Sequence, residues 1–298
     1  MRVNPNYTAN MVDLLNQSQQ DETKALTELS TGRRVNNPSD DPAAEAAMVA
    51  ENSRSASVDQ YTASSDSLTE VLNTADSTLS SVVTLLQRAS TLGVEAANSA
   101  TMNQTDLNSI ANELTGIQSQ MLSLANTSYA GQYVFGGTVT GIAPYVADPT
   151  VAGQVDYVGN DQQNKVQIGT GLSVASNLPG SSIFSQSSGN VFDALQSMIT
   201  ACQSGNNSGI TGAVTKLSTA SDTVNTARVF YGNTVNELTS NESYLSQEKV
   251  NIASYENTLV SCDTATATTA VTQAEYQRNA TVAAAAKMNQ VSLLDYLK

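Results

Sequence analysis

Twelve positions in one stretch, Val58, Tyr61, Ser65, Leu68, Leu72, Ala75, Leu79, Val82, Leu86, Ala89, Gly93 and Ala96, follow one another in steps of three and four without a slip. That is the heptad spacing of a helix with a narrow packing stripe. At 1.5 Å per residue such a helix runs to about 60 Å, too long to fold back within a compact domain of this size. Leu107, Ile110, Leu114, Ile117, Met121 and Leu124 repeat the spacing in a second helix. Leu217, Val224, Tyr231, Leu238, Leu245, Ile252 and Leu259 recur every seventh residue in a third, with Ala220, Ala227 and Tyr255 at companion positions. Thin stripes on long helices predict side-by-side packing in a rod-like antiparallel bundle.

The helix breakers are unevenly placed. Ten of the 17 glycines and three of the six prolines fall between Gly131 and Gly189, and no proline follows. This segment reads as a small β-rich insert, with strands expected over 132–135, 154–158 and 165–168 and turns at Gly136-Gly137, Pro144, Pro149, Gly153 and Gly159-Asn160. Gly169-Thr170-Gly171 lacks the third glycine and following helix of a dinucleotide loop and reads as a strand-end turn. The two ends of the chain differ from the middle. Residues 1–30 carry a sparse stripe (Tyr7, Met11, Leu14, Leu15, Ala25, Leu26, Leu29), while 261–286 is mostly Ala, Thr and Ser before a final apolar cluster, Met288, Val291, Leu293, Leu294, Tyr296 and Leu297. Such stripes bury too little to offset chain entropy alone, so each end is expected to order against the other and against neighbouring subunits.

Composition narrows the chemistry. Ser and Thr supply 69 of 298 residues, and there is no His and no Trp. Without His, Ser-His-Asp and Cys-His nucleophiles and His-containing metal sites are excluded. A formal charge of -14 argues against a nucleic-acid partner, whose phosphates call for Lys and Arg. No apolar run approaches the ~18 residues of a membrane span, so no membrane insertion is expected. The first residues lack the apolar core of a cleavable signal peptide. Cys202 and Cys262 stand 60 residues apart without a CxxC spacing and read as two semi-buried thiols, a disulfide between them being the other reading. Glu242, Glu248 and Lys249 read as solvated faces and helix pairs. No catalytic, cofactor-binding or metal-ligating residue is assigned, and no enzyme is expected.

The most informative stretch is Leu29-Ser30-Thr31-Gly32-Arg33-Arg34-Val35-Asn36-Asn37-Pro38-Ser39-Asp40-Asp41-Pro42-Ala43-Ala44. Gly32 is placed to stop the first helix in the left-handed conformation. Ser39 or Asp40 is placed to cap the next, with Pro42 inside its first turn. Asp40-Asp41 beside Arg33-Arg34 also has the make-up of a metal or acid pair, although capping and turn charges are commoner.

This segment resembles the LSTG(K/R)R(V/I)N-x-(P/A)-(S/K)DD-(P/A)A block of the bacterial flagellin-like axial proteins, and Pro38 and Pro42 resemble the hook–filament junction subfamily more than flagellin itself. Gly131-Gln132-Tyr133-Val134-Phe135-Gly136-Gly137-Thr138 is similar to the start of that subfamily's β domain, followed by Pro144-Tyr145, Val155-Asp156-Tyr157 and Val166-Gln167-Ile168-Gly169. Val291-Ser292-Leu293-Leu294-Asp295-Tyr296-Leu297 is similar to its ending; the two cysteines and the first five residues depart from the pattern.

The resemblance implies an inner coiled coil of both termini (1–45 and 258–298), a helical bundle (46–130 and 190–257) and an outer β domain (131–189). It implies a turn motif of Gly32, Arg33, Arg34, Asn36, Pro38, Asp40, Asp41 and Pro42. The assembly interface is expected at Met11, Leu14, Leu15, Leu26, Leu29, Met288, Val291, Leu293, Leu294, Tyr296 and Leu297. The implied role is structural, a short ring of identical subunits between the first hook-associated protein and flagellin. Export is expected through the flagellar type III channel with an export chaperone and no cleaved signal, which puts the protein outside the cell. Flagellin is the nearest alternative; an enzyme or adhesin carried by the β insert is the alternative of another class.

Overall fold

The computed structural model describes residues 7–98, 103–151, 153–187 and 189–296, with side chains from residue 9 to residue 287. Helices dominate: α1 (Tyr7–Thr31), α2 (Pro42–Ala97), α3 (Gln104–Ala125), α5 (Val191–Gln203), α6 (Asn207–Val260) and α7 (Thr264–Tyr296), with a four-residue α4 (Gly180–Ile183). Six short strands lie between α3 and α4: β1 (Ser128–Tyr129), β2 (Gln132–Tyr133), β3 (Tyr145–Ala147), β4 (Val155–Tyr157), β5 (Lys165–Gly169) and β6 (Leu172–Ala175). The chain is therefore mainly helical, with long helices at both ends and a small β-rich insert in the middle. It divides into two compact units, Val58–Ser246 and the two terminal segments up to Ser57 and from Gln247. Both divisions fall inside long helices, α2 and α6.

In the central unit the heptad stripes form one core. Leu72, Leu79 and Leu86 of α2, Leu114 and Met121 of α3, and Leu217, Val224 and Tyr231 of α6 are all fully buried in it. Helix α5, which the sequence did not set apart from its flank, adds Phe192, Leu195 and Met198 to the same core. It begins where the Asn190 side chain accepts hydrogen bonds from the Phe192 and Asp193 amides. Ion pairs tie the helix flanks together, Arg88 to Glu113 at 2.7 Å and Arg228 to Asp76 at 2.9 Å. The spacing misplaced one residue: Tyr255 is 49% exposed. A helix of 3.6 residues per turn drifts off a strict seven-residue repeat, and here the next buried position is Val260.

The insert is three separate antiparallel hairpins, β1–β2, β3–β4 and β5–β6, not one sheet. Gly169-Thr170-Gly171 is the turn of the last of them. Two-residue and three-residue strands hold little alone, so side chains do the joining. Tyr145 packs edge-on or tilted against Phe184, Phe192 and Tyr157, with ring centroids 5.5, 5.3 and 5.1 Å away. The Asn126 side chain imitates a strand partner, donating to the Tyr145 carbonyl at 2.8 Å and accepting from its amide at 2.9 Å. Tyr231 of α6 accepts the Leu178 amide at 3.2 Å, and Asn241 donates to the Ile168 carbonyl at 2.8 Å. Burial raises the pKa of the Tyr145 and Tyr231 phenols far above the ordinary tyrosine value, so both stay neutral.

Gly93 occupies a stripe position where any larger residue forces its neighbours to shift. A Cβ there would lie 2.3 Å from Met198 Cε and 2.8 Å from Val214 Cγ2, where α2 meets α5 and α6. Gly93→Val is expected to destabilise the bundle by about 1–3 kcal/mol through overpacking. Leu79→Asp places a charge at a fully buried position and is expected to prevent folding of the central unit. Circular dichroism melts check both; a parental melting curve for either variant would contradict the packing described.

Candidate assembly interface

The terminal unit is organised around two helix-to-helix turns. Gly32 ends α1 with φ +66°, the left-handed conformation that spares only glycine a Cβ penalty. Asn37-Pro38-Ser39-Asp40 then closes a β-turn, the Asp40 amide donating to the Asn37 carbonyl at 2.9 Å, with Pro at its second position. The cap of α2 is Asp41 and neither Ser39 nor Asp40: its Oδ1 accepts the Ala44 amide at 3.0 Å, and Pro42 is the first helical residue. An Asp immediately before a Pro at the first helical position is legible as a cap in the sequence itself.

Asp40 serves the turn instead. Its Oδ2 accepts the Asn37 and Asn36 amides at 2.9 and 3.2 Å, and its Oδ1 lies 3.3 Å from Lys24 Nζ. Arg34 Nη2 donates to Asp41 Oδ2 and to the Leu259 carbonyl, both at 3.0 Å. The two carboxylates are thus divided among separate partners, and among the described residues no group of three or more Cys, Asp or Glu is placed to hold a metal ion. Asn36 closes the loop by donating to the Arg33 carbonyl at 2.6 Å.

The second turn, between α6 and α7, pairs with the first. The Arg34 amide donates to the Val260 carbonyl at 2.7 Å, and the Cys262 amide donates to the Gly32 carbonyl at 2.9 Å, making an antiparallel bridge of Arg33 and Ser261. Val35, Ala44 and Val260 are buried beneath it, with Met48 and Leu259 packed alongside. Cys262 is half-buried here, whereas Cys202 is fully buried in the central core; both are free thiols. Burial pushes the Cys202 thiol pKa up. Glu248 is not solvated: it forms an ion pair with Arg54 across α2 and α6.

Helices α1 and α7 run antiparallel from this bridge. Ser18 and Thr281 hydroxyls meet at 3.4 Å, and Arg278 reaches Glu22 at 2.9 Å. The buried residues along the pair are small, Ala25 on α1 and Ala267, Val271 and Ala274 on α7. Larger apolar groups point elsewhere: Leu14 is 59% exposed, Leu26 45% and Leu29 36%, while Met11 and Leu15 are partly covered. Tyr276 of α7, which the sequence did not single out, is 76% exposed. Met288, Val291, Leu293, Leu294 and Tyr296 lie on or beyond the last turns of α7, and their side chains, with all of Leu297, are outside the described residues.

Two helices paired through small residues, with apolar groups left outward, suit a chain that packs against further helices. Two family models match the chain, the bacterial flagellin N-terminal helical region over residues 3–140 and the bacterial flagellin C-terminal helical region over residues 210–297. Together they span well over half of it, and the chain belongs to the flagellin-like family. The flagellar hook-associated protein 3 of Escherichia coli is 35% identical over 179 residues, 60% of this chain and 54% of that protein, so the match takes in only about half of that relative's length. Among solved structures, a flagellar hook-associated protein of Vibrio parahaemolyticus superposes with a TM-score of 0.68 at 19% identity, over 74% of this chain and 99% of that one. The flagellar junction protein FlgL of Legionella pneumophila gives 0.60 at 15% identity, over 72% and 100%. The likeness to these two structures shows the fold.

Backbone amides and their cations hold both turn carboxylates below the usual 3.8. For Asp40 the Asn37 amide contributes most, ahead of Asn36 and Lys24; for Asp41 the Ala44 amide leads, ahead of Arg34. Groups with a lowered folded pKa contribute stability above their unfolded value and lose it as the pH falls. The bridge is therefore expected to be firm above pH 3.8 and to loosen as the pH drops below it. Hydrogen exchange at the Arg34 and Cys262 amides reads this directly. In Asp40→Asn/Asp41→Asn the same amides should exchange faster at pH 6 and lose their acid dependence; an unaltered acid limb would contradict this account.

Proposed function

We propose that the chain is a structural subunit of the bacterial flagellum at the junction of hook and filament, without enzymatic activity. The observation that carries this reading is the 35% identity to a flagellar hook-associated protein 3. The terminal helix pair supports it physically. Leu14, Leu26, Leu29 and Tyr276 face outward, and burying one such side chain is worth about 1.5–3 kcal/mol. Identical subunits offering the same stripes cover one another and close into a short ring, with the first hook-associated protein on one side and flagellin on the other. The residues in contact are those of the terminal stripes, Met11 to Leu29 and Met288 to Leu297, and the Gly32–Pro42 turn fixes the angle at which they are presented. The subunit reaches this place by export through the flagellar type III channel, attended by a chaperone and without signal cleavage. The flagellin reading draws on the two family models, whose descriptions are those of flagellin helical regions.

A clean in-frame deletion in the source bacterium separates the two. Bare hooks, with flagellin lost to the medium, are the expected result; absence of flagellin from cells and medium, with hooks capped normally, would make the chain the filament subunit. Removal of residues 288–298 is expected to abolish incorporation into flagella while leaving the central unit's melting curve unchanged. Normal incorporation of the truncated chain would exclude the terminal cluster from assembly.

A further inference from the structure

Within the central unit a cleft of about 650 Å³ lies between α2 and the β insert, the size of a small-ligand site. Leu68 and Val134 are buried at its base, with Val166 half-buried beside them. Small residues of α2, Ala63, Ser64 and Ser67, leave room on the helix side, and the half-buried Tyr129 and Tyr133 of the first hairpin line the other. In a chain with 27 Asp and Glu, no charged residue is among those lining it.

Its polar groups fall into two sets. One is fixed: the buried Asn177 side chain accepts the Asn164 amide at 2.8 Å and donates to the Gly137 carbonyl at 2.9 Å. The other is unspent. Among the described residues, the side chains of Gln60, Ser67, Gln132 and Thr140 and the hydroxyls of both tyrosines bond to no other group of the chain. Together they offer donors and acceptors alike. The hairpin that carries the tyrosines turns at Ala130 with φ +49°, where Asn, Asp or Gly is the ordinary choice. Backbone strain of this kind gathers at ligand sites, and Ala130 lies on the exposed lip of the cleft.

We propose that this cleft binds a neutral saccharide. An apolar base flanked by tyrosines suits the C–H faces of a pyranose, and the unspent amides and hydroxyls suit its hydroxyl groups. An anionic ligand would meet no cation there. An extended peptide would need free backbone donors, but the Tyr133 and Val134 amides are already donated, to the Thr140 and Thr127 carbonyls at 2.9 and 3.0 Å. The site lies wholly in the central unit and does not depend on the flagellar reading.

Saturation-transfer difference NMR on the full-length chain tests this, with chitotriose and maltotriose as neutral probes, trigalacturonate as an anionic trisaccharide and an extended Ala-Ser peptide. At least one neutral probe is expected to give a saturable signal, tenfold or more above trigalacturonate and the peptide. Ser67→Tyr fills the cleft from an exposed position of α2 and is expected to lower that signal at least tenfold with the melting curve unchanged. Ser81→Tyr, exposed on the same helix outside the cleft, should leave it intact. Gln60→Ala, which removes an exposed side chain and fills nothing, should lower it severalfold and keeps the site testable if Ser67→Tyr does not fold. No signal from either neutral probe overturns the proposal, as does an undiminished signal in both Ser67→Tyr and Gln60→Ala. A signal from trigalacturonate or the peptide as strong as from the neutral sugars overturns the ligand class.

Discussion

The bridge between the Gly32–Arg34 turn and the Val260–Cys262 turn is the constraint on which the terminal unit depends. It joins residues more than 200 positions apart with two backbone hydrogen bonds, Arg34 to Val260 and Cys262 to Gly32. Helices α1 and α2 leave one turn, α6 and α7 leave the other, and so a single pairing sets the register of α1 with α7 and of α2 with α6. The loop it closes spans most of the chain, and closure entropy grows slowly with loop length. Two hydrogen bonds would not hold it alone. Val35, Ala44 and Val260 beneath the bridge, and Arg34 reaching across to the Leu259 carbonyl, add the burial and the charge-assisted bond that keep it closed.

Charges and small residues divide the work differently in the two units. The central unit is held by Leu, Met and aromatic side chains in a continuous core, with ion pairs at its flanks. The α1/α7 pair buries Ala and Val, and its polar links, Ser18–Thr281 and Glu22–Arg278, are partly exposed. Pairs of that kind contribute little each. The helix pair buries little of its own, and its outward Leu and Tyr residues remain exposed.

The β insert illustrates how a weak local element is made firm. Each hairpin is too short to be stable in water alone, yet the insert is anchored from three sides: Asn126 beyond α3, Tyr231 and Asn241 on α6, and Phe192 on α5. Three of the chain's four phenylalanines, Phe135, Phe184 and Phe192, gather around Tyr145. In a chain this poor in aromatics, that concentration marks where the insert joins the bundle.

Periodicity alone placed the long helices, because a heptad stripe has one low-energy use, burial against another stripe. The same logic found Gly93 on a stripe but not the reason for it, since the Met198 side chain that a Cβ there would meet comes from a helix more than 90 residues further on. The Gly32 stop and the Pro38 turn were legible because they are backbone properties of single residues. Partnership belongs to the assembled fold. Nothing local tells Asp40 to hold its turn with Lys24, Arg34 to bind the Leu259 carbonyl, or Arg33 to be left without a carboxylate. The two arginines are chemically identical neighbours, and their roles diverge only when the α6–α7 turn arrives to occupy one of them. Propensity and pattern are properties of a segment; a hydrogen-bond or ion-pair partner is a property of what the fold brings beside it.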